Sequence, residues 1–301
     1  MSMRTFLSFA LVLFIIAWSS SQVASQSIIQ EPTTEPAGSI SEVVATSDIK
    51  WGPLNPARGD KGPKAGTLWG DRTGSGPSGF LVKFVDRFSS PPHIHNITYR
   101  AVVISGLIYN GDPNAKEVWM PKGSVWTQPA GEVHITAADG HNNLVYVEIE
   151  EGPYLVRPTE EAFDNGERPV NVDVSNIVWL DASDITWIDQ TTKPAFTHGP
   201  KLVFLWGMPQ DDQLSGSLVK LPVGFSGKIR SRGSTFRAVV IQGRPQYRMP
   251  GETDVRTLAP GSYFGSTGKS VHQVSCEAGE ECIVYVRMKG KFDVIQEPPK
   301  K

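Results

Sequence analysis

The chain is poor in the residues that most often build soft-metal and redox sites: its 301 residues include only two cysteines and six histidines. With Cys276 and Cys282 alone, a four-cysteine zinc knuckle and a Cys-X-X-Cys redox pair are both excluded. Net charge is nearly absent as well, with 29 Lys and Arg against 31 Asp and Glu, and a formal charge of −2 argues against nucleic acid or anionic lipid as the main partner. Beyond the N-terminus no apolar run has the length of a membrane span, and no stretch longer than about ten residues repeats with the 3.6 period of an amphipathic helix. What is there instead is 29 glycines and 23 prolines, set between short β-branched and aromatic runs such as Phe80–Val85, Tyr99–Ile108, Ser124–Thr127, Val133–Thr136 and Leu144–Ile149. Runs of this length and spacing predict an all-β sandwich or barrel.

The N-terminus differs from the rest. Arg4, an apolar run from Phe6 to Trp18 and the small residues Val23-Ala24-Ser25 read as a secretory signal peptide over residues 1–25, too short to span a bilayer comfortably. An uncleaved N-terminal anchor is the alternative. The expected destination is periplasmic or secreted, with no membrane association after cleavage, and residues 26–44 read as a flexible Ser-, Thr-, Glu- and Pro-rich tail. If the chain is exported, Cys276 and Cys282 are expected to pair across the turn between them; in a reducing compartment they stay as thiols.

An internal repeat organises everything else. Leu68-Trp69-Gly70 recurs as Leu205-Trp206-Gly207, Leu81-Val82-Lys83 as Leu218-Val219-Lys220, and Tyr99-Arg100-Ala-Val-Val-Ile-Ser-Gly106 as Phe236-Arg237-Ala-Val-Val-Ile-Gln-Gly243, all at an offset of 137 residues. Past an indel, His134 matches His272 at 138, and Val145-Tyr146-Val147 matches Val284-Tyr285-Val286 at 139. Two copies of one domain follow, residues 45–155 and 180–296, joined by a polar linker, 156–179, with at most a helical turn at Thr159-Glu160-Glu161.

Within the first copy, His93 and His95 are two apart, so in a strand both imidazoles face one way. His134 follows the turn Gln128-Pro129-Ala130-Gly131 and arrives from another strand. Three neutral imidazoles converging on one ion leave coordination positions open for water or substrate. Tyr99 shares the parity of His93 and His95, which predicts that its ring enters the same cavity.

These residues resemble the cupin superfamily. Its first motif, G-x5-H-x-H-x3,4-E-x6-G, is met at His93, His95 and Gly106; its second, G-x5-P-x-G-x2-H-x3-N, at Gly123, Pro129, Gly131 and His134. The second copy keeps Gly224, Gly243 and Gly261 of that framework. The chain therefore looks like a bicupin similar to the ChrR-type and acetylacetone-dioxygenase-like cupins, which implies two tandem double-stranded β-helix (jelly-roll) domains with a metal inside the barrel. Three positions depart from the pattern: Arg87 stands in place of Gly, Ala138 in place of Asn, and Tyr99 in place of the usual carboxylate ligand. Without that carboxylate the ion's full double charge is uncompensated, which favours an anionic bidentate ligand such as the enolate of a dicarbonyl. The resemblance thus implies one divalent metal ion per chain on His93, His95 and His134, Fe2+ or alternatively Zn2+, with Tyr99 as the catalytic candidate, contacting a metal-bound ligand, acting as a weak fourth ligand, or filling the barrel.

In the second copy Arg230 and Arg232 replace the paired histidines and only His272 persists, so no metal is expected there. Those three form an anion pocket, are tied up by carboxylates, or point out of a collapsed barrel. Glu148, replaced by Arg287 in the second copy, reads as a displaced ligand or, alternatively, a surface ion pair; Glu132 is a candidate base, and Trp126, Tyr109 and Trp119 are candidate cavity walls or core. His141 lies in a turn-like Asp-Gly-His-Asn-Asn segment and is expected to be exposed. The Asn96-Ile97-Thr98 sequon is expected to be unmodified within the metal strand. The functional expectation is an exported metal-dependent oxygenase acting on a small chelating, dicarbonyl-like substrate. The alternatives are a non-catalytic zinc-binding sensor or ligand-binding bicupin, and a structural bicupin with an empty barrel. A small molecule is the expected partner, and the chain is a monomer or homodimer.

Overall fold

The computed structural model describes residues 39–188, 199–277 and 279–297; the signal peptide expected over residues 1–25 lies outside the described residues. Two large antiparallel sheets carry the two copies. The first runs, in spatial order, Val170–Val172, Val125–Gln128, Tyr99–Gly111, Ile135–Ile149, Ser78–Phe84, Lys64–Trp69, Gly52–Pro53. The second runs Ser41–Val44, Tyr263–Thr267, Thr235–Gln242, Cys282–Lys289, Leu214–Leu221, Lys201–Gly207, Leu180–Asp181. A five-stranded sheet, in which Ser226–Ser231 pairs with Ser270–Ser275 and Phe292–Gln296, closes the second copy. Among the described residues the only helical turns are short 3-10 segments.

The uninterrupted apolar runs are explained by burial on both faces. In Ala101-Val102-Val103-Ile104, Ala101 and Val103 join Tyr99, Val145 and Val147 inside the first barrel. Val102 and Ile104 point the other way and meet Val239, Ile241, Tyr263 and Tyr285 of the second copy. The strand parity of two thus splits each run between a private core and a shared one. The second barrel has its own interior, built around Phe236, Phe264, Val284 and Phe292.

Short arms cross between the copies. Ser41–Val44, expected as the end of a flexible tail, is a strand on Tyr263–Thr267 of the second sheet. Reciprocally, Val170–Val172 of the linker pairs with Val125–Gln128 of the first sheet. Val156–Arg157 pairs with Ile94–His95, and Thr159–Glu161 forms the 3-10 turn. The polar composition of both arms concealed them, because each is an edge strand with its outer face in water.

At the centre of the shared core lies a polar cluster with near-twofold logic. Trp69 Nε1 donates to Tyr146 Oη at 3.1 Å, and Trp206 Nε1 donates to Tyr285 Oη at 2.9 Å. Both tyrosines donate to Glu148, at 3.0 and 2.7 Å, while Arg287 Nε stands 3.8 Å from the same carboxylate. Close approach here depends on Gly79 and Gly216, where a Cβ would fall 2.1 and 1.9 Å from the indole nitrogens. Glu148 is therefore neither a metal ligand nor a surface ion-pair partner: it is 1% exposed and shares a parity with Tyr146 that turns it away from the barrel interior. Burial raises its pKa, against the pull of Arg287 and the tyrosine hydroxyls.

Two smaller points follow from the sequence. Arg87 occupies left-handed backbone with φ 56°, and its counterpart Gly224 has φ 70°, so the turn survives while the residue suited to it does not. Cys276 and Cys282 are buried and unbonded, so the pairing expected on export is not formed and the thiol alternative is what the structure holds; the two thiols are hydrogen-bonded to each other, which raises the pKa of Cys276. Relieving the left-handed strain predicts that Arg87→Gly stabilises the protein by about 0.5–1 kcal/mol in urea denaturation. Glu148→Gln is expected to lower stability by about 2 kcal/mol, leaving the buried hydroxyls mismatched, with no change in metal content by elemental analysis. A loss of metal would return Glu148 to the site.

Candidate metal centre

His93 and His134 face each other across the barrel wall, each backbone N–H donating to the other's carbonyl at 3.0 Å. His95 sits on Ile94–His95, held by the returning Val156–Arg157 strand. The three rings lie 4.4–5.2 Å apart by centroid, and one nitrogen of each is within 4.8 Å of the other two. Each Nδ1 is engaged by a backbone carbonyl: Pro91 for His93 at 2.9 Å, Leu155 for His95 at 3.0 Å, Glu132 for His134 at 3.2 Å. A carbonyl only accepts, so Nδ1 carries the proton in each ring and the lone pair belongs to Nε2. Burial lowers all three pKa values, His95 well below the usual range and His134 to about 3, so the rings are neutral at neutral pH. Three neutral, Nε2-presenting imidazoles fit a divalent transition metal.

Hydroxyls surround this triad. Tyr99 is 3% exposed, and its Oη lies 3.5 Å from His134 Nε2 while donating to Asn110 Oδ1 at 3.0 Å. Thr136 also donates to Asn110 Oδ1, at 2.8 Å; Asn110 Nδ2 donates to Gln128 at 2.8 Å, and Gln128 Nε2 donates to the carbonyl of Glu132 at 3.2 Å. That carbonyl is the one holding His134, so a closed polar chain runs from tyrosine to ligand. On the other side Tyr154 stacks on His95 at 4.4 Å and 24°, and its Oη donates to His95 Nε2 at 3.2 Å. Burial raises the pKa of both tyrosines, keeping the phenols protonated. The cavity, about 70 Å³, is walled by Val82, Phe84, Phe88, Trp126, Val145 and Val147, with Arg58 beside them.

Set beside known proteins, residues 42–295 match a family model described as a domain of unknown function, DUF4437. The chain belongs to the DUF4437 family. Its fold is that of a bicupin. A crystal structure of a candidate dioxygenase from Nostoc punctiforme aligns at TM-score 0.60 and 14% identity, over 86% of this chain and 87% of that one. Salicylate 1,2-dioxygenase from Pseudoaminobacter salicylatoxidans, solved as an adduct with gentisate, aligns at 0.53 and 14%, over 88% and 87%. A mutant oxalate decarboxylase from Bacillus subtilis aligns at 0.50 and 12%, over 87% and 81%. No curated protein sequence matches the chain.

In this DUF4437 chain, Tyr99 enters the cavity as expected, although a bend at Asn96 and Ile97 separates its strand from that of His95, and Trp126 walls the cavity. Tyr109 and Trp119 pack on each other at 6.2 Å and do not line it. Glu132 contributes its carbonyl, and its carboxylate is not part of the lining. His141 is exposed. The Asn96 amide is engaged, donating to the Pro153 carbonyl at 2.9 Å and accepting from Leu155 N–H at 2.9 Å. Sequence reasoning missed Tyr154, Asn110, Gln128 and Arg58. Tyr154 follows the closing strand, where no motif reaches; Asn110 was hidden by two register shifts between Val103 and Leu107, which reverse the parity counted from Tyr99.

In the second barrel the arginines are held by a carboxylate. Arg230 Nε and Arg232 Nε donate to Asp293 Oδ2 at 2.8 and 2.6 Å, and Arg232 Nη2 donates to Oδ1 at 2.7 Å, with Asp293 fully buried. His272 is core: it bonds Tyr247 Oη at 2.9 Å and Ser266 Oγ at 3.0 Å and stacks on Phe236 at 4.7 Å. Burial lowers its pKa to about 3. Its folded value lies below the unfolded value, so the stability it contributes is present above about pH 6.5 and is lost as pH falls toward 3. Denaturation at pH 6.5 and pH 5 should show the wild type losing about 2 kcal/mol more than His272→Gln over that interval. Equal losses would mean that the ring takes up its proton without opening the barrel.

Proposed function

We propose that this protein is a metal-dependent cupin oxygenase acting on a small chelating, dicarbonyl-like substrate, similar to the acetylacetone-dioxygenase-like cupins. The observation that carries the reading is the inward convergence of three Nε2 lone pairs with no carboxylate among the described residues lining the cavity. His93, His95 and His134 would hold Fe2+, which supplies Lewis acidity toward a chelating substrate and redox reactivity toward oxygen. A ligand set of neutral imidazoles leaves the ion's positive charge to be met by the substrate, which favours an enolate.

The chain's own residues do the rest. The apolar walls exclude water and strengthen every polar contact inside. Tyr99, its proton committed to Asn110, offers an oxygen lone pair toward the ligand side of His134. Tyr154 holds a hydroxyl proton beside His95 Nε2, where it would be available to a bound substrate if that nitrogen ligated a metal. The dioxygenase folds to which the chain is similar support this reading, one of them solved as an adduct with the small molecule gentisate. The Arg4 and Phe6–Trp18 leader supports an exported protein working in the periplasm or outside the cell.

Metal analysis of protein purified without oxygen is expected to give about one iron per chain, falling at least tenfold in His93→Ala, with oxygen uptake on adding a dicarbonyl to the iron-loaded wild type only. Equal metal in both proteins would remove the site. One tightly held zinc with no oxygen uptake would replace the oxygenase with a binding module.

A further inference from the structure

We propose that Arg58 makes the metal cavity selective for a substrate that carries a carboxylate beyond its chelating carbonyls, that is, a small dioxo-acid in place of a neutral dicarbonyl. The inference rests on the metal-centre reading above and narrows it to a substrate class.

Arg58 is the one formally charged side chain among the described residues lining the cavity; the others are apolar, hydroxyl, amide or neutral imidazole. Among the described residues it forms no ion pair with a carboxylate, as is also true of Arg72, Arg87, Arg244 and Arg248, but of these only Arg58 lines the cavity. Its position is built. It sits on the 3-10 segment Pro56–Lys61, with its N–H donating to the Asn55 carbonyl at 3.1 Å. The loop closes behind it through Leu54 N–H to the Pro63 carbonyl at 2.8 Å, next to the pairing of Gly52–Pro53 with Ala65 and Lys64. Gly62 leaves the space the side chain needs, since a Cβ there would fall 2.8 Å from Arg58 Cβ.

The electrostatics then set the substrate. A divalent ion on three neutral imidazoles plus one guanidinium places three positive charges in an apolar cavity with no acidic side chain in its described lining. A neutral dicarbonyl that loses one proton on chelation returns a single negative charge. A dioxo-acid returns two, and its planar carboxylate matches the fork of a guanidinium. The modest cavity keeps the molecule small.

The test uses the full-length protein loaded with cobalt(II), whose visible d–d spectrum reports ligand binding without turnover. Acetylacetone and acetylpyruvate share the same dicarbonyl and differ by the carboxylate. In the wild type acetylpyruvate is expected to bind at least about tenfold tighter. Arg58→Gln should erase that preference by weakening acetylpyruvate alone, and Arg58→Lys should keep part of it. Cobalt bound normally but with a preference unchanged in Arg58→Gln, an equal loss for both probes, or no preference in the wild type overturns the role of Arg58 and leaves the metal centre standing. Failure of the wild type to take up cobalt overturns the metal centre and this inference together.

Discussion

Three backbone carbonyls decide which nitrogen each imidazole turns inward. Those of Pro91, Leu155 and Glu132 accept the Nδ1 protons of His93, His95 and His134, and everything proposed for the site depends on the unprotonated Nε2 atoms that this turns inward. Each bond adds about 1 kcal/mol of orientation; together they fix tautomer and ring plane before any ion arrives. The three acceptors come from different places. Pro91 precedes the histidine pair, Glu132 lies in the turn before His134, and Leu155 belongs to the segment that folds back after the barrel closes. Asn96 secures that last segment by bonding both Pro153 and Leu155, and the same return brings Tyr154 onto the face of His95.

The two barrels solve one packing problem with different interiors. Both use continuous apolar strands because each sheet must face its own core and its partner, and the exchanged arms at Ser41–Val44 and Val170–Val172 tie the copies together. In the first interior the polar groups converge on a centre with no acidic lining. In the second, Arg230 and Arg232 close on the buried Asp293, and His272 is consumed by Tyr247, Ser266 and an aromatic stack. A guanidinium carries no lone pair to give, so the same backbone positions present neutral imidazoles in one copy and a structural ion pair in the other.

Much of this was legible in the chain. The repeat offset, the His-x-His parity and the turn before His134 led to two jelly rolls and to the three imidazoles, and Tyr99 reaches the same cavity although a bend at Asn96 and Ile97 interrupts the strand on which its parity was counted. Counting failed where the backbone stops alternating: the shifts between Val103 and Leu107 turned Asn110 inward against expectation. Glu148 was misread because its neighbours on the other face were invisible without the second barrel, although its shared parity with Tyr146 already separated it from Val147. Tyr154 and Arg58 come from segments outside the repeat's core, where neither period nor motif constrains where a side chain points. Ser41–Val44 looked like tail because an edge strand can be polar on its open side.

If a carboxylate-free set of three histidines bound through Nε2 holds the metal, X-ray absorption at the metal edge of the loaded wild-type protein will show three imidazole ligands, with the remaining positions filled by water or added chelator. A protein carboxylate in the inner shell, or fewer than three imidazoles, would contradict it.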